Sequence, residues 1–318
     1  MNISDKVAVC SRSFSKNEVL RSELLQRYKY VTFNDSGAQL EGQDLVNFLE
    51  GHDKAITALE TINESILSQL PRLKVIGKYG VGLNMIDMSA MRKYKVSLGW
   101  TGGVNRRSVS EMVISLSISL LRHFPLSNQE VKNNKWQQHV GGLLSEKVIG
   151  VIGCGFVGKD LIELLSVWGC KFLAHDILNF PEFYEKYKIQ AVSLDNLLKE
   201  SDVVTLHVPF DETTKNMLSR EKLTLMKPTA ILINAARGGL VDESALKKML
   251  IEKQLAAAAF DVFINEPPSD FELLNLPNFF ATPHLGGSAY EAIIAMGKSA
   301  IDGLDLHSIP RRELIVNN

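Results

Sequence analysis

Three residues in the carboxyl-terminal part of the chain could act together. Each follows a short apolar run: Arg237 after residues 230–234, Glu266 after residues 256–262, and His284 after residues 279–282. If those runs are neighbouring strands of one parallel sheet, their carboxyl ends share a rim and the three side chains can meet there. An arginine grips a carboxylate with a planar fork and fixes the adjacent carbon. A histidine takes or returns a hydroxyl proton, and a carboxylate beside the imidazole orients the ring and favours its charged form. The trio suits proton and hydride movement at a carbon that bears a hydroxyl next to a carboxylate. Taken singly, each has a bland reading, as a hydrogen-bonded histidine, a solvated arginine or a loop acid.

Such chemistry needs a hydride carrier, and Val148–Asp176 has the pattern of a site for one. An apolar run (148–152) leads into Gly153-Cys-Gly155-Phe-Val-Gly158, then a helical apolar period, then a second run ending at Asp176. Gly153 permits a tight turn, Gly155 lets backbone N–H groups approach a pyrophosphate, and Gly158 lets helix and strand pack closely. The helix N-terminus faces the phosphates. Asp176 can accept from a ribose 2′-hydroxyl and would repel a 2′-phosphate, so the pattern favours NAD over NADP. Cys154, inside the loop, reads as packing.

The elements that must position these groups alternate in type. Apolar runs at 7–10, 30–33, 55–59, 74–78 and 96–100 alternate with helical patterns at 18–27, 42–50 and 63–70. A long apolar helix is expected over 107–121, followed by a polar crossing segment at 132–142 that carries Trp136. Beyond Asp176 the alternation continues: helices near 194–199, 220–226 and 243–253, strands near 203–208, 230–234, 256–262 and 279–282, and a closing helix at 290–306. This predicts an α/β chain of two doubly wound parallel-sheet domains. Residues 1–100 plus 289–318 form one, and residues 101–288, with six or seven strands, form the other. The loop Gly80-Val81-Gly82, directly after a strand, is where open α/β sheets take ligands, or else an ordinary turn. No tandem repeat or low-complexity segment occurs.

Composition narrows the function classes. A formal net charge of −1 gives no general attraction to nucleic acid or membrane. Three cysteines without CxxC spacing point to reduced thiols. No signal-like start and no membrane-length apolar run is present, so a cytoplasmic protein is expected.

The sequence resembles the D-isomer-specific 2-hydroxyacid dehydrogenases. The matching stretches include Gly80-Val-Gly82-Leu-Asn84-Met-Ile-Asp87, Gly103-Val-Asn105, residues 151–158, Leu206-His-Val-Pro209, Met226-Lys-Pro228, residues 233–242, Phe260-Asp261-Val-Phe with Glu266-Pro267, and Pro283-His-Leu-Gly-Gly287. The resemblance implies a flavodoxin-like substrate domain, a Rossmann NAD-binding domain and an active site in the cleft, with Arg237, Glu266 and His284 catalytic and no metal. It implies a cofactor site of Gly153, Gly155, Phe156, Val157, Gly158, Asp176, His207, Pro209, Thr214, Ala235, Ala236, Arg237, Asp261, His284 and Gly286. It implies that Tyr79, Gly80, Val81, Gly82, Asn105 and Arg237 meet the substrate, whose carboxylate takes backbone N–H groups of the loop. A homodimer through the helix after Asn105 is also implied.

The departures bear on substrate. Phosphoglycerate dehydrogenases of the family usually carry an arginine near Thr57, whereas this chain has Glu60 close by, which disfavours a phosphate. Lys78, Arg106 and Arg107 could hold a second anion, or cap and solvate a helix start. Trp100 and Gly102 stand where relatives usually read Asn-Thr-Pro-Gly. No carboxyl-terminal regulatory module is expected. The function expected is NAD-dependent interconversion of an (R)-2-hydroxy acid and its 2-oxo acid. The alternatives are a non-catalytic dinucleotide-sensing scaffold or corepressor-like protein, and reduction of a carbonyl compound that lacks a carboxylate.

Overall fold

A computed structural model describes residues 4–310, so residues 311–318 of the expected first domain lie outside the described part. The chain forms two compact units. One runs from the start through Asn105 and resumes at Gly287; the other is Arg106–Gly286. The crossings fall after Asn105 and after Gly286. Asn105 is buried, and its side-chain amide lies against Gly287, which ties both segments into the first unit.

The first unit holds a five-stranded parallel sheet of β1 (Lys6–Val9), β2 (Tyr30–Phe33), β3 (Lys54–Thr57), β4 (Val75–Lys78) and β5 (Ser97–Gly99). Their order is β2-β1-β3-β4-β5, which reverses direction between β1 and β3 as doubly wound flavodoxin-like sheets do. β3 and β4 are buried along their whole length, the continuous burial of strands covered on both faces. One cover is the helix Tyr290–Gly303, which returns to this unit and approaches the sheet backbone to backbone. A Cβ at Gly77 would lie 2.3 Å from Ala300 O, and one at Gly99 would lie 1.8 Å from Gly303 O. Only glycine permits this approach.

The second unit holds seven parallel strands: β6 (Val148–Ile152), β7 (Lys171–His175), β8 (Gln190–Ala191), β9 (Val203–Leu206), β10 (Ile231–Asn234), β11 (Ala257–Phe260) and β12 (Phe279–Ala281). The order β12-β11-β10-β9-β6-β7-β8 switches direction between β6 and β9, the Rossmann arrangement. The helix Arg106–Leu121 buries Val109, Val113, Leu116 and Leu120 in the cluster that also contains Ile149, Val151, Leu161 and Ile162. It is followed by a helix over Phe124–Lys132 that buries no residue. Among the described residues no helix is long and apolar enough to cross a membrane.

Candidate active site

The glycine loop sits at the carboxyl end of β6, beside the switch point of the sheet. Gly153 has φ +93°, and a Cβ there would lie 2.7 Å from the backbone of His207. A Cβ at Gly158 would lie 2.2 Å from Gly153 O, so helix Phe156–Ser166 can start this close to the strand only as glycine. That helix begins after Gly155 with no side-chain cap on its first amides. Phe156 is largely exposed, while Val157 packs inward.

Asp176, directly after β7, is drawn into the loop: Oδ2 accepts from the Cys154 amide at 2.6 Å and Oδ1 from the Leu178 amide at 2.8 Å. Each oxygen keeps a lone pair for a ribose hydroxyl. Uncapped amides, a backbone cradle that a Cβ would fill and a fixed carboxylate together fit a dinucleotide. Cys154 is fully buried, and burial pushes its thiol up to about 11, so it packs rather than reacts.

After β9, the His207 amide donates to Ile152 O at 2.7 Å, and its Nε2 pairs with Thr205 Oγ1 at 3.0 Å. Burial lowers its pKa to about 3, keeping the ring neutral. The Thr214 hydroxyl donates to Pro209 O at 2.8 Å and accepts from the Asp211 amide at 2.8 Å, closing the 209–214 turn.

Arg237 follows β10 by way of Ala235 and Ala236, both half-buried. Asn234, 1% exposed, brackets this turn, donating to Arg237 O and accepting from the Ala236 amide. The guanidinium donates one bond, from Nη1 to Ala236 O at 2.7 Å. Burial lowers its pKa and nearby Glu266 opposes that shift. Among the described residues it forms an ion pair with no carboxylate, so most of its fork is open. Gly238 then lets this segment lie against residues 263–264, where a Cβ would come within 2.0 Å of Phe263 O.

Glu266 and His284 meet, Nδ1 to Oε2 at 2.8 Å. A carboxylate only accepts, so Nδ1 carries the proton and Nε2 keeps its lone pair. The other Glu266 oxygen accepts from the Phe263 amide at 3.1 Å. His284 has φ +55°, a left-handed conformation that a non-glycine residue rarely adopts.

Asp261 enforces that conformation. It is 1% exposed; Oδ1 accepts from Thr282 Oγ1 and the Leu285 amide, and Oδ2 from the Gly286 amide at 2.8 Å. Its carboxylate thereby braces the loop that carries His284. Sequence reading missed a further support. Glu243 Oε1 accepts from the Ile264 amide at 3.0 Å, and burial raises its carboxyl pKa. Its place at a helix start after Asp242 gave no sign of this.

The expected substrate-side residues belong to the first unit. Tyr79 is 7% exposed and packs edge-on against Phe14 at 5.5 Å. Gly80 has φ +102°. Among the described residues the amides of Gly80, Val81 and Gly82 donate to no protein acceptor. Lys78 is 3% exposed and donates from Nζ to Tyr79 O at 3.0 Å. Glu60 accepts from the Ala58 amide.

Arg106 and Arg107 both reach one buried carboxylate. Arg107 grips Asp160 with two 2.9 Å bonds, and Arg106 Nε lies 3.6 Å from the same carboxylate, which is 3% exposed. Among the described residues no group of three His, Cys, Asp or Glu could hold a metal.

Comparison with known proteins gives a consistent picture. The family described as D-isomer specific 2-hydroxyacid dehydrogenase, NAD binding domain, matches residues 114–286. D-3-phosphoglycerate dehydrogenase of Synechocystis is 33% identical over 289 residues, covering 88% of this chain and 52% of that protein. The chain thus spans about half the length of that relative. Hydroxypyruvate reductase of Thermotoga maritima is 33% identical, covering 83% of this chain and 87% of the relative. Among solved structures, a D-isomer specific 2-hydroxyacid dehydrogenase from Polaromonas superposes with TM-score 0.86 at 27% identity over 95% of both chains. D-lactate dehydrogenase of Aquifex aeolicus, solved with NAD and lactic acid, gives 0.79 at 25% identity, covering 94% of this chain and 93% of that one.

Proposed function

We infer that this chain, which belongs to the D-isomer specific 2-hydroxyacid dehydrogenases, interconverts an (R)-2-hydroxy acid and its 2-oxo acid. The observation that carries this reading is a half-buried Arg237 with an open fork, close enough to feel the charge of a Glu266 that holds His284. NAD supplies the hydride acceptor, and as NADH the donor, held by the amides after Gly155 and by Asp176. The Arg237 fork binds the substrate carboxylate bidentately and presents the neighbouring carbon. During oxidation His284 Nε2 takes the hydroxyl proton, and Glu266 stabilises the resulting imidazolium; in reduction the same nitrogen returns the proton. In the first unit, the free amides of Gly80–Gly82 are themselves suited to a carboxylate. A non-catalytic scaffold has no observation in its favour, since arginine, acid and histidine are all in place. A carbonyl substrate without a carboxylate would leave Arg237 unpaired.

The substrate proposed is small and unphosphorylated. Arg106 and Arg107 are committed to Asp160, Lys78 is buried beneath the glycine loop, and Glu60 would repel a phosphate. A cytoplasmic homodimer is proposed as well, supported by three free cysteines and by an apolar stretch in which Trp136, Val140 and Leu143 are 85%, 97% and 68% exposed.

The test is NADH oxidation, followed at 340 nm, against 2-oxo acids running from glyoxylate and pyruvate through bulky apolar acids to hydroxypyruvate and its phosphate, with NADPH in parallel. Turnover of an unphosphorylated acid with NADH preferred is expected. Tight NADH binding with no turnover of any acid would favour the scaffold.

A further inference from the structure

We propose that Trp100 is a positioning residue for the substrate carboxylate, aiming the amide of Gly82 through the carbonyl of Val81. The inference rests on the reading above, in which the loop Gly80–Gly82 receives that carboxylate.

The indole Nε1 of Trp100, just beyond β5, donates to Val81 O at 3.1 Å. In a trans peptide the carbonyl and the following N–H point in opposite directions. Fixing the Val81 carbonyl toward the indole therefore fixes the Gly82 N–H away from it. Lys78 does the same two peptides earlier. Its Nζ holds Tyr79 O at 3.0 Å, which sets the direction of the Gly80 N–H. Two side chains, one at the end of β4 and one just beyond the adjacent β5, thus pin alternate carbonyls of one loop. The amides on the far side of those peptides carry no protein acceptor among the described residues. Gly80, at φ +102°, supplies the bend between the two pinned peptides.

Unspent amides held in a fixed direction form an anion receptor whose donors need no reorganisation when the ligand arrives. Without the indole N–H the Val81–Gly82 peptide can rotate, and the ligand must order it on binding. The consequence falls on carboxylate binding. The hydride step and cofactor binding depend on other residues.

Two variants separate the hydrogen bond from the bulk of the ring. Trp100→Phe keeps an aromatic ring, and 3-benzothienylalanine at position 100 keeps the shape and replaces N–H by sulfur. Steady-state kinetics use the best 2-oxo acid, with oxamate as an unreactive carboxylate probe. Loss of one ordered hydrogen bond should raise KM for the oxo acid and Ki for oxamate together, by about five-fold. In the benzothienyl protein kcat should stay within about two-fold, and KM for NADH and the Tm should not change.

Unchanged KM and Ki in the benzothienyl protein would overturn the inference while leaving the enzyme reading intact. So would a rise in KM for NADH together with a fall in Tm, the mark of a merely structural tryptophan. A wild-type protein that reduces no 2-oxo acid and binds no oxamate would overturn the functional reading, and the inference with it.

Discussion

Glu266 holds His284 by Nδ1 at 2.8 Å while His284 itself sits at φ +55°, so the imidazole is fixed from both its ring and its backbone. The pairing leaves Nε2 for the substrate. His284→Ala should lower kcat/KM by about 10²–10⁴-fold, and Glu266→Gln, which keeps an acceptor but loses the charge, by about ten-fold or more. NADH binding, followed by fluorescence, should persist in both. A loss of less than ten-fold in His284→Ala would remove it from the chemistry.

Asp176 has two tasks, accepting from the glycine loop and offering lone pairs to a ribose. Asp176→Ala should raise KM for NADH about ten-fold or more without raising it for NADPH, because the repulsion of a 2′-phosphate goes with the carboxylate. Parallel titrations with the two cofactors measure the ratio. An unchanged ratio would leave Asp176 as a loop brace only.

Asp160 is buried and its two arginines are half-exposed, so the costs of breaking the cluster are unequal. Asp160→Asn should cost about 1–2 kcal/mol, since the freed arginines regain water. Replacing both Arg106 and Arg107 by alanine should cost about 3 kcal/mol or more, because it strands a buried carboxylate. Urea unfolding gives both numbers. A raised KM for the 2-oxo acid with no loss of stability would instead place the arginines at the substrate.

His207 predicts an acid-side loss of stability. Its folded pKa, about 3, lies below the ordinary 6.5. Above pH 6.5 the ring is neutral in both states and its contribution is complete. As pH falls below 6.5 the unfolded chain takes up a proton that the folded one refuses, down to about pH 3. This costs about 1.4 kcal/mol at pH 5.5 relative to neutrality. Unfolding at pH 7.5 and 5.5 should show that difference in the wild type and not in His207→Gln. Equal losses in both proteins would mean that the ring is protonated in the folded state.

The meeting of Glu266 with His284, near Arg237, was legible because strand ends of one parallel sheet share a rim. What escaped has local causes. The helix Phe124–Lys132 buries nothing and so carries no apolar period, and β8 is two residues long. The helix Pro181–Tyr187 is short and presents aromatics, Phe183 beside Tyr187, instead of an aliphatic stripe. Arg107 and Asp160 meet across 53 positions, and nothing at either position announces the other. Tyr79, one residue past β4, turns its ring into the core against Phe14, which the adjoining glycine loop does not announce. Asp261 was recognised as important, yet its function as a brace depends on amides of Leu285 and Gly286 that sequence leaves unplaced.

The backbone-to-backbone seat of helix Tyr290–Gly303 on Gly77 and Gly99 also orders events on the ribosome. The first unit's strands emerge first, but the helix that covers β4 and β5 is made only after the whole of Arg106–Gly286. The nascent chain therefore carries a sheet that lacks this one cover through synthesis of an entire second unit, which is complete before the first. Because the helix must seat without a single methyl group to spare at those glycines, a segment made this late is held to a close tolerance.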